Sequence, residues 1–99
     1  MSRRLRRSSG NVFRDLGFPP EEAENLRIRS DLMARLCRVI EEEELTQARA
    51  ARLFGVTQPR VSDLVRGKID LFSIDTLVNM LAKAGVRVRV TAGARRRVA

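Results

Sequence analysis

Side chains able to hydrogen-bond to base edges and to phosphates are concentrated in residues 45–68. Gln58 can make a bidentate contact with adenine, Asp63 can accept a hydrogen bond from cytosine, and Arg60 can donate to guanine or phosphate. Gln47 begins a predicted helix, a position that suits contact with a backbone phosphate. These residue types predict recognition of double-stranded DNA. The full candidate set is Gln47, Thr57, Gln58, Pro59, Arg60, Ser62, Asp63, Arg66 and Lys68.

Two short helices joined by a tight turn are predicted to position these side chains. Thr46 and Thr57 can cap helices over residues 47–54 and 58–66, and Gly55 can take the left-handed conformation between them. Pro59 is compatible with the second helix, because the first helical turn makes no intrahelical use of its N–H groups. The spacing is typical of a helix-turn-helix, whose second helix enters the major groove N-terminus first. An ordinary bundle of capped helices, with both glutamines merely solvated, is the alternative.

The charge distribution favours the DNA-binding interpretation. The chain of 99 residues has 20 Lys+Arg against 12 Asp+Glu, a formal charge of +8. Residues 46–68 hold five basic side chains and one acidic one, and arginines are also concentrated at both chain ends. A protein this basic usually binds a polyanion, most often nucleic acid.

The composition argues against most other functions. The chain has no histidine and one cysteine, so it lacks the ligands for a four-ligand zinc site, a pair for an internal disulfide and the commonest general base. We therefore expect neither an enzyme nor a cofactor or metal. No secretory signal or membrane-spanning run is evident, and a cytoplasmic location is expected.

The predicted fold is mainly α, a small repressor-like helical bundle with one C-terminal β-strand. Residues 12–18 are expected to form an irregular arm or short strand, and residues 20–44 to form one helix or two. Ser73 is expected to cap a helix over residues 74–84. The alternating sequence of residues 86–91 predicts a half-buried strand.

A single strand cannot pair its own backbone groups. Either residues 11–13 pair with residues 86–91, or the same strand of a second chain does, and we expect a homodimer. An accidental alternation in a frayed tail is the other interpretation.

The chain divides into a basic flexible arm (residues 1–10), a helix-turn-helix domain (residues 11–92) and a basic flexible tail (residues 93–99). The arginine-rich ends can be solvated, or can reach a minor groove or neighbouring phosphates. The N-terminal region can instead fold on a protein partner.

Two further features favour structural interpretations. Four consecutive carboxylates, residues 41–44, spread around a helix, which is typical of a solvated helix end rather than a metal or acid–base site. Cys37 falls in an apolar helical stretch and is expected to be a small core residue.

Residues 45–68 resemble the phage repressor/Cro-type (XRE-like) helix-turn-helix family, from Leu45-Thr46-Gln47 through Gly67-Lys68. The resemblance implies a helical bundle that binds its operator as a dimer. It also implies a phosphate contact for Gln47 and base contacts for Gln58, the residue after it, and Asp63. Pro59 replaces the usual polar residue, so that contact is lost or becomes apolar.

A wider resemblance covers roughly residues 12–90. Phe13-Arg14-Asp15-Leu16-Gly17-Phe18, the stretch from Gln58 to Leu64, and Phe72-Ser73-Ile74-Asp75-Thr76-Leu77 are similar to antitoxins of host-inhibition-of-growth toxin–antitoxin pairs. Such antitoxins bind an mRNA-cleaving toxin and repress their own operon, and residues 2–18 are the candidate toxin contact. The alternatives are a solitary repressor, a module that only neutralises a toxin, and a nonspecific nucleic-acid binder.

Overall fold

Apolar residues at helical spacing, separated by caps and glycines, fold the chain into helices. The computed structural model describes residues 10–95. Its elements are α1 (Val12–Asp15), α2 (Pro20–Glu42), α3 (Gln47–Phe54), α4 (Gln58–Val65), a 3₁₀ turn (Ile69–Leu71) and α5 (Ile74–Lys83). The mainly α prediction is confirmed, and α3, α4 and α5 lie where the sequence predicts them.

Helix α2 is continuous, which settles whether residues 20–44 form one helix or two. Pro20 occupies the first turn, where its missing N–H costs nothing, and acidic side chains follow it. At the other end Glu44 has a left-handed φ of 51°. The N–H of Leu45 donates to the carbonyl of Ile40 at 3.0 Å. This closes the helix in the way that a glycine usually does.

The N-terminal segment forms one helical turn, so its prediction as an arm or short strand is wrong. The buried Asn11 caps α1, because its Oδ1 accepts from the N–H groups of Phe13 and Arg14 at 2.9 and 3.3 Å. Its Nδ2 donates to the carbonyl of Ala23 at 3.1 Å and so ties α1 to α2. Side-chain capping competes with strand pairing for these backbone groups.

The core lies where α2, α3, α4 and α5 meet. Phe54 of α3 and Phe72 are its largest side chains and are almost wholly buried. Val61 of α4 and Leu77 of α5 complete the contact between helices. The other members are Met33, Leu36, Val39, Ala50, Ala51, Leu64, Met80 and Leu81. The two helices of the predicted helix-turn-helix, α3 and α4, are therefore held by the same cluster that folds the chain.

The predicted C-terminal strand is not present in the part of the chain that the structure describes. Residues 86–95 carry no helix or strand assignment. The N–H of Val86 closes α5 by donating to the carbonyl of Leu81 at 2.9 Å. Val86 and Val88 are half-buried, whereas Arg87 and Arg89 between and after them are exposed. Val90, the next valine of the alternating set, is exposed. A strand needs a neighbouring ladder, and residues 11–13, the partner considered within the chain, are used by α1.

Most of the predicted basic arm and tail falls on residues 1–9 and 96–99, outside the described residues. Across residues 10–95, no helix has the length and apolar character needed to cross a membrane.

Candidate nucleic-acid interface

Helix α3 is capped as the sequence predicts and ends in a left-handed turn. The hydroxyl of Thr46 accepts from the N–H of Arg49 at 3.1 Å. Gly55 has a φ of 72°, and the following N–H, that of Val56, donates to the carbonyl of Ala51 at 3.0 Å. This conformation strains any residue with a Cβ. The glycine therefore fixes the angle at which the chain enters α4.

A side chain from α5 also covers this turn. A Cβ placed on Gly55 would lie 2.5 Å from Cδ of Lys83. The lysine stem thus packs over the glycine and brings its ammonium group to the turn between α3 and α4. Gly67, which follows α4, has nearly the same φ of 73° but nothing within 4 Å of its Cβ position.

Helix α4 buries one side and leaves the other open. Its N-cap is Thr57, whose hydroxyl accepts from the N–H of Arg60 at 3.4 Å. Val61 and Leu64 are buried against the core. On a helix, positions separated by three, four and seven residues share a face. The face opposite the buried side accordingly carries Pro59, Ser62, Asp63 and Arg66.

The residues at the two helix starts are exposed. Gln47 is the first residue of α3 and Gln58 the first of α4, and both are exposed. Thr57 and Pro59 beside Gln58 are exposed as well. The N-terminal end of α4 is therefore open to a ligand, as a helix that enters a groove by its N-terminus must be.

The far end of α4 carries a charged pair. Nζ of Lys68 lies 3.7 Å from Oδ1 of Asp63, and both side chains are partly exposed. The backbone N–H of Lys68 also donates to the carbonyl of Asp63. Asp63 can still accept a hydrogen bond from a base. The base would then have to displace Lys68 from the carboxylate or share the carboxylate with it. Arg66 is exposed just beyond the helix.

Arg60, one of the predicted DNA contacts, makes two contacts within the chain. Its Nη1 donates to the carbonyl of Leu71 at 3.1 Å. Its guanidinium carbon lies 5.2 Å from the ring centroid of Phe72, within cation–π range. The side chain fastens α4 to residues 69–72, which are the 3₁₀ turn and the residue that follows it. The structure therefore sets Arg60 apart from the other candidate contacts.

Arg29 of α2 holds the same segment and was not predicted from the sequence. Its Nη1 donates to the carbonyls of Ile69 and Phe72 at 3.1 and 3.4 Å. Its Nε donates to Oδ1 of Asn25 at 2.7 Å. The only signal in the sequence is an arginine on the half-buried flank of a long amphipathic helix.

Basic side chains dominate the surface around α3 and α4. Exposed cations occur on α3 at Arg49 and Arg52, after α4 at Arg66 and Lys68, and at the turn at Lys83. The acidic run at residues 41–44 is exposed and lies just before α3. This surface can attract phosphates on the α4 side, with like-charge repulsion near the end of α2.

Cys37 and the carboxylates bear on thiol and metal chemistry. Burial, with a contribution from Glu41, raises the pKa of the Cys37 thiol, which disfavours the reactive thiolate. Within residues 10–95, no group of His, Cys, Asp or Glu side chains is arranged to hold a metal ion.

Comparison with known proteins places this geometry in a family. Residues 12–93 match the family model described as a helix-turn-helix domain. A solved structure named as an XRE-family transcriptional regulator is 31% identical, with a TM-score of 0.71. The alignment covers 79% of this chain and 91% of that one. A search of curated proteins gives no match. The chain therefore belongs to the XRE-like helix-turn-helix family, whose fold is that of DNA-binding transcriptional regulators.

Proposed function

We propose that the protein is a sequence-specific transcriptional repressor that reads its operator with α4. The observation that carries the proposal is the division of this helix. Val61 and Leu64 fix its inner side in the core, while Gln58 and Pro59 stand exposed at its N-terminal end. The similarity to an XRE-family regulator supports the same function.

Base and phosphate contacts have different roles in this proposal. Gln58 reads an adenine edge and Asp63 accepts a hydrogen bond from cytosine, while Pro59 offers an apolar contact, such as to a thymine methyl. Gln47, Arg66 and Lys68 bind phosphates and so set the position of α4 along the duplex. Repression follows from occupancy of the promoter in the cytoplasm, with no catalytic step.

A homodimer on a two-fold operator is the form we propose for binding. Each copy would present one α4, and half-sites would be about 34 Å apart, roughly one helical turn of DNA. Two linked half-sites raise affinity without any new contact within each site.

We further propose that the repressor is the antitoxin of a toxin–antitoxin pair that controls its own operon. The sequence resemblance supports this role, and so does an open apolar patch at the N-terminal end. Val12 of α1 and Leu16, the residue after α1, are 59% and 70% exposed, and Phe18 is 39% exposed. Contiguous exposed apolar side chains favour contact with a protein. A solitary repressor and a module that only neutralises a toxin are the alternatives.

Sequence-specific binding is tested by fluorescence anisotropy, which measures the affinity for the DNA upstream of the protein's own reading frame and for a scrambled duplex of equal length, at several salt concentrations. A preference of roughly 10³-fold at physiological salt is expected for specific repression. The double variant Gln58→Ala, Asp63→Ala should lose this preference. The matched control, Asp75→Ala with Asn79→Ala, removes one carboxylate and one amide from the exposed surface of α5 and should keep it. Equal, salt-sensitive binding to both duplexes would contradict sequence-specific repression.

The antitoxin role needs a separate experiment. The small reading frame next to this one is co-expressed with the protein, and both co-purification and relief of growth arrest are scored. Relief that survives the Gln58→Ala, Asp63→Ala change, but is lost in Leu16→Asp, would support a toxin contact at α1. Growth unaffected by the neighbouring product would leave a solitary repressor.

A further inference from the structure

The chain folds back at the end of α4 and places Lys68 beside Asp63. Gly67 has a left-handed φ of 73°, and its N–H donates to the carbonyl of Leu64 at 3.0 Å. The N–H of Lys68 donates to the carbonyl of Asp63 at 3.1 Å. These two bonds form the Schellman motif, which closes many helices at a glycine. The backbones of Asp63 and Lys68 are therefore joined directly.

The backbone of Lys68 is also held on its other side. Its carbonyl accepts from the N–H of Leu71, in the 3₁₀ turn, at 3.0 Å. Arg29 of α2 donates to the carbonyl of Ile69 in the same turn at 3.1 Å. The origin of the Lys68 side chain is thus fixed relative to α4 and α2, and only its flexible stem is left to move.

The side chains of Asp63 and Lys68 form an ion pair that keeps unused hydrogen-bonding capacity. Nζ of Lys68 lies 3.7 Å from Oδ1 of Asp63, and 48% and 26% of the two side chains are exposed. An ion pair as exposed as this one adds little to the stability of the fold. A carboxylate has two acceptor oxygens and an ammonium has three donors. Both groups can therefore bind DNA while they remain beside each other.

Asp63 needs a cation if it is to approach a base between two phosphate backbones. It is the only acidic residue among residues 46–68, and like charges brought together at an interface oppose binding. Lys68 supplies the opposite charge. Arg66 lies at the same end of α4 and is exposed, but within residues 10–95 it forms no ion pair. Of these two neighbouring cations, Lys68 is the one coupled to Asp63.

We propose that Lys68 determines specificity by allowing Asp63 to read a cytosine. This inference rests on the proposed function and deepens its contact between Asp63 and DNA. On the operator, the ammonium lies between the carboxylate and a backbone phosphate, and the carboxylate accepts from the N4 amino group of cytosine. Lys68 is a positioning residue, because it offsets the repulsion between Asp63 and the phosphates. Without its charge, the carboxylate turns away from the base and opposes binding.

A double-mutant cycle on DNA binding tests the coupling. Asp63→Ala, Lys68→Met and the two changes together are compared with the wild type by anisotropy on the DNA upstream of the protein's own reading frame. In the chain that keeps Lys68, Asp63→Ala should weaken binding roughly 10- to 100-fold, the effect of one lost base contact. In the Lys68→Met background, Asp63→Ala should leave the affinity unchanged or raise it, because it removes a carboxylate that no cation offsets.

Arg66→Met is the matched control, since it removes an exposed cation from the same end of α4. It should weaken binding by the same factor with and without the Asp63→Ala change. Lys68→Arg keeps a cation and should preserve the effect of Asp63→Ala. Circular dichroism and urea unfolding should show that all these variants fold as the wild type does, because both members of the pair are partly exposed.

Base preference gives a second readout. Duplexes in which one C·G pair of the operator at a time is replaced by T·A should reveal a position where the wild type and Arg66→Met prefer cytosine roughly 10-fold or more. Asp63→Ala and Lys68→Met should both lose the preference at that position. Equal weakening by Lys68→Met on every duplex, or additive effects of Asp63→Ala and Lys68→Met, would overturn the inference and leave Lys68 as a phosphate contact alone.

The same titrations separate this inference from the proposed function. If the wild type prefers its operator to a scrambled duplex while the effects of Asp63→Ala and Lys68→Met are additive, the repressor function stands and the coupling is wrong. If the wild type binds both duplexes equally, sequence-specific repression fails, and the inference that rests on it fails as well.

Discussion

Replacing Arg60 separates a residue that holds α4 in place from the residues proposed to contact DNA. In Arg60→Ala the carbonyl of Leu71 loses its donor at 3.1 Å, and the ring of Phe72 loses the guanidinium 5.2 Å away. The hydrogen bond contributes about 1 kcal/mol and the cation–π contact about 0.5–1 kcal/mol. We expect a loss of about 1–2 kcal/mol in the free energy of unfolding. For a domain of this size the melting temperature should fall by roughly 4–16 °C.

Arg66 provides the matched control, because it is an exposed arginine at the end of the same helix. Arg66→Ala should change the unfolding free energy by no more than about 0.5 kcal/mol. It should instead make the plot of log binding constant against log salt less steep, because one lost phosphate contact reduces the magnitude of the negative slope by about 0.9. Arg60→Ala should leave that slope unchanged.

Urea unfolding followed by circular dichroism gives the first quantity, and anisotropy with operator DNA at four or five salt concentrations gives the second. A structural role for Arg60 is refuted if Arg60→Ala keeps full stability and makes the salt dependence of DNA binding less steep. That result would mean that Arg60 leaves Leu71 and Phe72 to bind DNA.

Three further changes test local features of the fold. Glu44→Gly should raise the free energy of unfolding by about 1 kcal/mol, because Glu44 has a left-handed φ that strains a residue with a Cβ. Ala34→Gly, at an exposed position in the interior of α2, should lower it by about 1 kcal/mol. Urea midpoints that move the same way in both variants would contradict this. Asn11→Ala should lower the free energy of unfolding by roughly 1–3 kcal/mol, because it removes a buried helix cap and the hydrogen bond to α2. Amide hydrogen exchange should become faster in α1 and not elsewhere. Exchange that becomes faster throughout the described helices would argue against a local role for Asn11. The Cys37 thiol has a folded pKa above its unfolded value, so its contribution to stability is complete below the unfolded pKa and is lost as pH rises through the folded pKa. Cys37→Ala should therefore flatten the alkaline decline in the urea midpoint, and an equally steep decline in the variant would show that other groups cause it.

Local capping could be predicted from the sequence because its partners are close along the chain. Thr46, Thr57 and Ser73 each accept from the N–H three residues later, and Gly55 takes the predicted left-handed turn. The exposed glutamines at the starts of α3 and α4 follow from the same local pattern. The resemblance to XRE-like proteins rests on these positions, and the family match confirms it.

Long-range side-chain contacts could not be predicted in this way. Arg60 reaches a carbonyl 11 residues later and Arg29 reaches carbonyls 40 and 43 residues later, so their roles depend on how the helices pack. The strand prediction was wrong for a related reason. The alternation matches the burial of residues 86–89, although Val90 is exposed. It does not supply the neighbouring backbone that a strand requires.

Arg29 and Arg60 both donate hydrogen bonds to residues 69–72, the 3₁₀ turn and the residue after it, and this matters for redesign of specificity. Because α2 and α4 are both anchored to that segment, a reading helix transplanted as residues 58–65 alone would arrive without its orientation. A specificity library should therefore vary Gln58, Pro59 and Ser62 while Arg60 is kept. The part that can be moved between proteins is then a set of side chains on a fixed helix, and the helix itself stays with its scaffold.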